Sequence, residues 1–371
     1  MRGSLPIGKI IGIPIRLHAS WFLIAALLTV SLAVGFFPQA YPGWSAAEYW
    51  IVGSVASLLL FASVLLHELG HSVLALREKV PVKSITLFIF GGVAQIGREP
   101  PTAGAEFRIA LAGPITSLGL AGFFGALGAV VADTPTLAAP LSYLTRVNLL
   151  LAAFNMIPGF PLDGGRVLRA AIWGLKGDMT LATRWAARSG QLVAALFIAV
   201  GIGLTLMGGL WNGLWLVFIG FYLNGAAQAS HQQARLQKML AGVKAGSVAV
   251  DQCQLVPTDL KLDRLIEDHV LRDGQQCFFV SDGESAQGLI TLDGIRRVSN
   301  EQRSELTAGQ VMTDVASAFK ARPDDDLWTL LQRMSEDDLT EVPVVDNGSL
   351  LGLITRDGLL RQMRLRSELA A

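Results

Sequence analysis

Hydrophobic residues in the first 230 positions form long uninterrupted runs, without the alternation typical of a half-buried strand. One run extends from Ser20 to Phe37, and a longer one covers residues 50–76. A helix needs roughly 20 apolar residues to cross a bilayer, so each run predicts a membrane span. Further spans are predicted at 108–131, 141–157, 189–208 and 211–228. The pattern therefore predicts a polytopic α-helical membrane protein with about six spans.

Charge divides the chain into two parts. Residues 1–242 contain 16 Lys and Arg against 8 Asp and Glu, whereas residues 243–371 contain 14 against 22. A basic, apolar part is thus joined to an acidic, soluble one, and no nucleic-acid partner is expected because neither part has a clustered basic face. Cys253 and Cys277 lack metal-ligand spacing. Two such thiols predict a reducing compartment and no disulfide framework.

The positions of the basic residues predict the orientation in the cell membrane. Lys and Arg are absent from the loops at 38–49, 132–140 and 209–213. They are concentrated in the segments 1–16, 77–108, 158–188 and 229–244. By the positive-inside rule, both termini are expected in the cytoplasm.

The second span contains His67-Glu68-Leu69-Gly70-His71. Histidines four residues apart share a helix face and can bind one zinc ion, while Glu68 can take a proton from a water molecule there. A chance match and a pair of packed histidines are the alternatives. Ionisable residues are costly in a membrane segment and are usually functional, which favours a metal site. His67 lies ten residues before Arg77, about 15 Å from the cytoplasmic end of the helix.

The fourth span runs into a segment rich in proline and glycine, from Asn155 to Arg166. Broken backbone at membrane depth is tolerated where it lines a cavity. Asp163 could complete a site of two histidines and one carboxylate, with the fourth position open to water. A turn or helix-cap aspartate is an equally good interpretation of the spacing alone. Asn155 could donate a hydrogen bond to a developing oxyanion.

Two β-rich stretches, 84–90 and 93–96, flank Gly91-Gly92 and predict a membrane-associated β-hairpin. An open edge cannot face lipid, so the hairpin is expected to line the cleft or to lie at the interface. Its edge would pair with an extended substrate peptide; a structural loop is the alternative. The predicted substrate-binding residues are Thr86, Phe88, Phe90, Gly91 and Gly92.

The His67–His71 motif together with Asn155-x-x-Pro158-x-x-Pro161-Leu162-Asp163-Gly164-Gly165 resembles the site-2 protease family of intramembrane metalloproteases. Gly113-Pro114 and Ser117 also fit that pattern, and the resemblance covers residues 1–230. It implies a membrane-spanning protein as substrate and Glu68 as the catalytic base. It also implies one zinc ion per chain, held by His67, His71 and Asp163.

The soluble third contains an internal repeat, since residues 287–295 recur as residues 351–359. The repeat resembles a pair of cystathionine-β-synthase-type (CBS) domains. The resemblance implies an α/β cytoplasmic domain at 245–371, with units 245–304 and 305–366 packed together, after a linker at 231–244.

The CBS pair admits two further partners, a small-molecule or nucleotide ligand and a second copy of the chain docked as a homodimer. Members of that family often hold adenosine through a Thr-x-x-Asp pattern. Here Thr291 and Thr355 are followed at the expected carboxylate position by Gly294 and Gly358. Weak or absent binding of adenosine nucleotides is therefore expected.

Together these features predict a zinc-dependent intramembrane endopeptidase that hydrolyses peptide bonds in or near transmembrane segments, with the CBS pair as its regulatory module. A CBS-gated transporter would also have buried ionisable residues and broken helices, but it does not need Glu68 beside His67. A catalytically silent scaffold is the third hypothesis. Bound zinc, and cleavage that is lost when Glu68 is changed, would distinguish the three.

Overall fold

The apolar runs form helices of membrane length. The first span, Ala19–Ala40, comprises α1 (Ala19–Val30), a π-helical stretch (Ser31–Phe36) and α2 (Phe37–Ala40). The remaining helices of this part are α3 (Ala46–Arg77), α4 (Ala103–Val130), α5 (Pro135–Asn155), α6 (Asp163–Lys176), α7 (Met179–Leu206) and α8 (Leu210–Leu240). In the described part of the chain, six helices are long and apolar enough to cross a membrane, and α6 is not among them. The predicted number of spans is confirmed.

The computed structural model describes residues 4–89, 91–240, 242–249, 253–275, 277–283, 286–314, 319–337, 339–346, 349–356, 358 and 359. Phe90, one of the predicted substrate-binding residues, lies outside them. The chain divides into two compact units, Met1–Ala234 and Arg235–Ala371.

Helix boundaries follow local capping chemistry. At the start of α3, Ser45 Oγ accepts from the Glu48 backbone N–H, and the Glu48 carboxylate accepts from the Ser45 backbone N–H at 2.7 Å. This reciprocal arrangement satisfies amides that the first helical turn leaves unpaired. Asp178 caps α7 by accepting a hydrogen bond from the Leu181 N–H. Helix α7 therefore begins about ten residues before the span predicted at 189–208, and its first turns are polar.

A four-stranded sheet accompanies the helices of the first unit. Its strands are β1 (Ser4–Ile10), β2 (Ile13–His18), β3 (Val82–Phe88) and β4 (Gly91–Ile96), in the spatial order β1-β2-β3-β4. The antiparallel pair of β3 and β4 is the predicted hairpin. The two N-terminal strands were not predicted. Their signal lies in the alternation of Ile13, Ile15 and Leu17, which are all buried against the sheet.

The expectation that Thr86 and Phe88 lie on an open edge is wrong. Strand β3 is internal, because β2 pairs with it in parallel on one side and β4 pairs antiparallel on the other. Thr86 faces both Arg16 and Val93 across these ladders and is buried. Just beyond Phe88, the Ile89 backbone N–H donates to Ser20 Oγ at 3.2 Å. The edge strand on this side of the sheet is β4, which contains Gly91 and Gly92.

The second unit is an α/β domain whose strands pair into two sheets. The strands are β5 (Gln254–Pro257), β6 (Cys277–Ser281), β7 (Ala286–Thr291), β8 (Thr313–Asp314), β9 (Glu341–Asp346) and β10 (Ser349–Thr355). The helices are α9 (Leu262–Arg264), α10 (Leu292–Arg296), α11 (Ala308–Val311) and α12 (Leu327–Glu336). One sheet has the order β5-β6-β7-β8, and β9 pairs with β10 in another.

Packing in the second unit crosses the predicted limits of the two CBS repeats. Ala245 and Val248 lie in the apolar core formed around Leu327 and Val344 of the second repeat. Conversely, Ala308 lies in the core of the first repeat. The start of each sequence repeat is thus buried in the other half of the pair.

Cys253 and Cys277 form a disulfide with a Cα–Cα distance of 4.8 Å. The expectation of no disulfide is therefore wrong. The cause is strand pairing: β5 and β6 are parallel, with Gln254 beside Phe278, so the residues just before them are also neighbours. A separation of 24 residues along the chain does not show this contact.

Candidate metal centre

Three potential ligand atoms from two distant parts of the chain meet inside the membrane unit. His67 and His71 project from one face of α3, and both are 4% exposed. Their Nε2 atoms lie 3.3 Å apart. Each Nε2 lies 3.2 Å from Oδ2 of Asp163, the first residue of α6. The structure therefore brings together the three residues that the sequence predicts as metal ligands.

The dimensions of this cluster fit a zinc ion. Ligand atoms about 2.0–2.1 Å from a tetrahedral zinc lie about 3.3 Å from one another. The three separations of 3.2, 3.2 and 3.3 Å match one face of such a tetrahedron and leave its fourth corner open. Two imidazoles and one carboxylate form a donor set that is typical of catalytic zinc.

Hydrogen bonds from α4 orient both imidazole rings. His71 Nδ1 lies 2.7 Å from the Ile109 carbonyl oxygen, which can only accept, so Nδ1 carries the proton. In the neutral ring, Nε2 then presents a lone pair to the Asp163 carboxylate, and a cation between these two acceptors would resolve their repulsion. His67 Nδ1 is likewise paired with Ser117 Oγ at 2.9 Å. Such partners fix the tautomer and the ring orientation of histidines that bind metals.

Glycines let α4 approach the histidines. A Cβ on Gly113 would lie 2.6 Å from His67 Nε2 and closer still to His71 Nε2. Gly70, between the two histidines on α3, faces the Ala112 carbonyl oxygen, which a Cβ would approach to 3.0 Å. The two helices are therefore in backbone contact at the site, and the space in front of the ring nitrogens is kept free of side-chain atoms.

Asp163 is placed by a tight turn after α5. The cap position of α6 is Leu162, and Asp163 occupies the first helical turn with its carboxylate directed to the histidines. This geometry excludes the helix-cap interpretation. Cβ atoms on Gly164 and Gly165 would overlap the backbone of residues 156–160, so both positions need glycine.

Glu68 lies beside the cluster and against the edge strand of the sheet. Its side chain is half-buried, and a Cβ on Gly92 would lie 2.5 Å from Glu68 Cγ. The Ala94 backbone N–H is hydrogen-bonded to the Glu68 carboxylate. Strand β4 therefore passes over the carboxylate, and Gly92 leaves it the room that a larger residue would occupy.

Asn155 has a different environment from the one expected of an oxyanion donor. Its side-chain amide donates to the Leu151 carbonyl at 3.0 Å, one turn back in α5. The amide is thus engaged within its own helix, and its role at the site stays a prediction.

Sequence reasoning missed the parts that α4 plays at the site. Gly113 and Ser117 were noted only as fitting a family pattern, although small residues four apart in a span are a signal of close helix contact. The Ile109 carbonyl leaves no trace in the sequence, because any residue supplies a backbone oxygen.

Models of two protein families match separate parts of the chain. A model of peptidase family M50 matches residues 55–134 and 129–200, and a CBS-domain model matches residues 308–365. Rip3 of Mycobacterium tuberculosis, a candidate zinc metalloprotease, is 38% identical over 366 residues, which are 97% of this chain and 93% of Rip3. Zinc metalloprotease MJ0392 of Methanocaldococcus jannaschii is 28% identical over 98% of this chain and 97% of its own length.

Among solved structures, the site-2 protease from Methanocaldococcus jannaschii is 30% identical, with a TM-score of 0.42. It covers 62% of this chain and 95% of its own. The Rip3 match extends over nearly the whole of both proteins. The chain therefore belongs to peptidase family M50, the site-2 protease family, as a multi-pass membrane protein with a CBS pair after its membrane part.

Proposed function

We propose that the protein is a zinc-dependent intramembrane endopeptidase that cuts membrane-spanning protein substrates. The observation that carries this proposal is the convergence of His67 Nε2, His71 Nε2 and Asp163 Oδ2 at 3.2–3.3 Å beside the half-buried carboxylate of Glu68. Membership of a metalloprotease family gives the reaction class, and the site supplies one group for each role that peptide hydrolysis requires.

One zinc ion per chain is proposed, held by His67, His71 and Asp163. Bound there, zinc would supply Lewis acidity that polarises a carbonyl group and acidifies a water molecule. Ile109 and Ser117 hold the two rings so that their Nε2 atoms face the ion.

Glu68 is proposed as the general base. Its carboxylate lies beside the cluster, where it would take a proton from the attacking water and return it to the leaving amine. The Ala94 N–H and the close passage of β4 at Gly92 hold the carboxylate in place.

The edge of β4 is proposed as the substrate-binding surface, with Gly91 and Gly92 near the cut bond. A helical peptide bond is shielded by its own hydrogen bonds, so a substrate span has to unwind before it is cleaved. Unwound backbone in lipid leaves polar groups unpaired at a cost of several kcal/mol each. Addition of the unwound segment to β4 as a fifth strand would pair those groups.

The CBS pair is proposed to regulate access to the site, with both termini in the cytoplasm. A ligand can shift activity only if it binds two states of the pair differently. A homodimer through the CBS domains remains part of this proposal. The proposed orientation is supported by the basic residues in alternate loops.

Metal removal tests the proposed function. The purified protein, reconstituted in vesicles with one transmembrane substrate, is expected to lose cleavage on treatment with a zinc chelator and to regain it when zinc is added back. A transporter or scaffold would cut the substrate in neither state. Cleavage that continues after the zinc has been removed, as measured by elemental analysis, would refute zinc dependence.

A further inference from the structure

Four charged side chains form a network next to the metal centre, and two of them, Glu106 and Arg169, are buried. Arg169 of α6 donates from Nε to Glu106 Oε1 of α4 at 2.6 Å, and its Nη2 also contacts Glu106. The same Nη2 donates to Glu99 Oε2 at 3.2 Å. Arg166 Nε lies 3.9 Å from Glu106 Oε1, and the Arg169 guanidinium lies 5.3 Å from the centre of the Phe160 ring.

The network joins α6, which carries Asp163, to α4, which orients the histidines of α3. Glu106 is three residues before Ile109, whose carbonyl oxygen holds the His71 ring. Arg169 is six residues after Asp163, on the same helix. Phe160, which Arg169 covers, belongs to the turn that delivers Asp163 to the site. A single guanidinium thus connects the helix that orients a histidine to the helix and the turn that present the carboxylate.

Stability alone does not account for such a pair. Glu106 is fully buried, Arg169 is 8% exposed, and taking both charges out of water costs several kcal/mol each. Glu106 Oε2 has no hydrogen-bond partner among the described residues, so the network is not fully satisfied. Well-packed apolar side chains often replace a buried ion pair without loss of stability. What they cannot supply is the directional, forked contact of an arginine with a carboxylate.

We propose that Arg169 and Glu106 are positioning residues that hold Asp163 at the correct distance from His67 and His71. The inference rests on the proposed zinc site. The pair acts through α4 and α6 and touches neither the metal nor the substrate. Its loss would let the first turn of α6 move away from α4, so that the carboxylate is the ligand that loosens.

The test replaces the pair with apolar side chains of similar length, as Glu106→Leu with Arg169→Met. We expect this double variant to fold, to release zinc about tenfold faster than the wild type, and to lose kcat with little change in KM. In the cobalt-substituted protein, we expect a changed visible absorption spectrum, because the carboxylate ligand is displaced. A purely structural role would leave the zinc release rate and the spectrum of the folded protein unchanged.

A matched control is available on the same helix. Arg108 and Glu78 form an ion pair at 2.7 Å, with side chains that are 56% and 22% exposed. The double variant Glu78→Gln with Arg108→Gln removes one charge from the end of α3 and one from the start of α4, without touching the Arg169–Glu106 pair. Its zinc release, cobalt spectrum and kinetics are expected to match those of the wild type.

The outcomes separate this inference from the proposed function. If the wild type holds no zinc and does not cut, the proposed function fails and this inference fails with it. If the wild type holds zinc and cuts, and the folded apolar variant has the same zinc release and spectrum, only the positioning role is wrong. If the apolar variant fails to fold, Arg169→Lys is measured in its place, because lysine keeps the positive charge but loses the forked guanidinium contact. Zinc release and a cobalt spectrum equal to those of the wild type in Arg169→Lys would overturn the inference.

Discussion

At the scale of single residues, Gly113 controls the space in front of the metal ligands. A methyl group there would overlap the Nε2 atoms of both His67 and His71. We therefore expect Gly113→Ala to lower zinc affinity by at least about tenfold, the scale of loss seen when residues that support a metal site are changed. Gly119, further along α4, has open space where a Cβ would lie, so Gly119→Ala is the matched control. Zinc content of the two purified variants provides the measurement, and equal contents would contradict the assigned role of Gly113.

The three proposed metal ligands could be identified from the sequence, whereas the residues that hold these ligands in position could not. His67 and His71 are spaced for one helix face, whereas Asp163 was assigned through the resemblance to the site-2 protease family, because its spacing fits a turn or helix-cap role equally well. The Arg169–Glu106 contact joins residues 63 positions apart, and neither has a neighbouring motif to indicate it. The Asn155 prediction was drawn from the residue type alone, and the amide turned out to be paired within its own helix.

At the scale of elements, β4 is the strand whose open edge reaches the active site. Ala94 is the position to test, because its backbone N–H points away from β3 and toward Glu68. We expect Ala94→Pro to keep zinc and to weaken cleavage about fivefold to tenfold, the value of one lost hydrogen bond. Strand addition predicts that part of this loss lies in KM, because a proline ring at the edge of β4 would also obstruct the pairing of a substrate strand.

The opposite edge of the same sheet provides the control for Ala94→Pro. Strand β1 already contains Pro6 and is largely exposed, so Lys9→Pro is expected to cut at the wild-type rate. A loss in Ala94→Pro confined to kcat would show that the N–H serves only to hold Glu68, and strand addition would then have to be abandoned.

The long hydrophobic runs predicted their helices correctly, whereas the short alternation of a six-residue strand was missed. The spans are stretches of twenty residues or more, and all were predicted. Strand β2 has six residues, and its alternation was hidden among basic residues that were interpreted only as a sign of orientation. Because β2 pairs with β3, this omission also led to the wrong edge of the hairpin at Thr86.

At the scale of the whole molecule, the expectation about nucleotide binding depends on two threonines of the CBS pair. Thr291 Oγ1 accepts from the Gly294 N–H at 3.4 Å, and Thr355 Oγ1 accepts from the Gly358 N–H at 3.0 Å. Each hydroxyl therefore accepts from the N–H three residues further on, and that position carries glycine in place of a carboxylate. We expect no submicromolar binding of ATP or AMP in calorimetry, and such an affinity would contradict this reading of the pair.

A gain-of-function variant makes the nucleotide prediction sharper. A Cβ on Gly294 would meet Thr291 Oγ1 at 3.8 Å, an ordinary contact, so Gly294→Asp fits without displacing its neighbours. This change restores the Thr-x-x-Asp pattern and is expected to tighten nucleotide binding. An unchanged titration would show that the pattern is not what limits recognition here.

The charge division and the repeat were enough to predict a membrane part followed by a CBS pair. They could not show that the start of each repeat is buried in the other half, as Ala245 and Ala308 are. The hydrophobic pattern of each segment is the same whether the segment is buried in its own repeat or in the other one. Strand pairing decides between the two, and the pattern does not show which strands pair.

The central claim is that Glu68 is the base of a zinc peptidase built on His67, His71 and Asp163. Zinc content and cleavage of one transmembrane substrate, measured together on the purified wild type and on Glu68→Gln, test it most directly. The amide keeps the shape of the side chain and removes only its ability to accept a proton. The account predicts about one zinc per chain in both proteins, and a rate in Glu68→Gln lower by about 10²–10⁴-fold. Cleavage by Glu68→Gln at the wild-type rate, or a wild type that cuts without holding zinc, would contradict it.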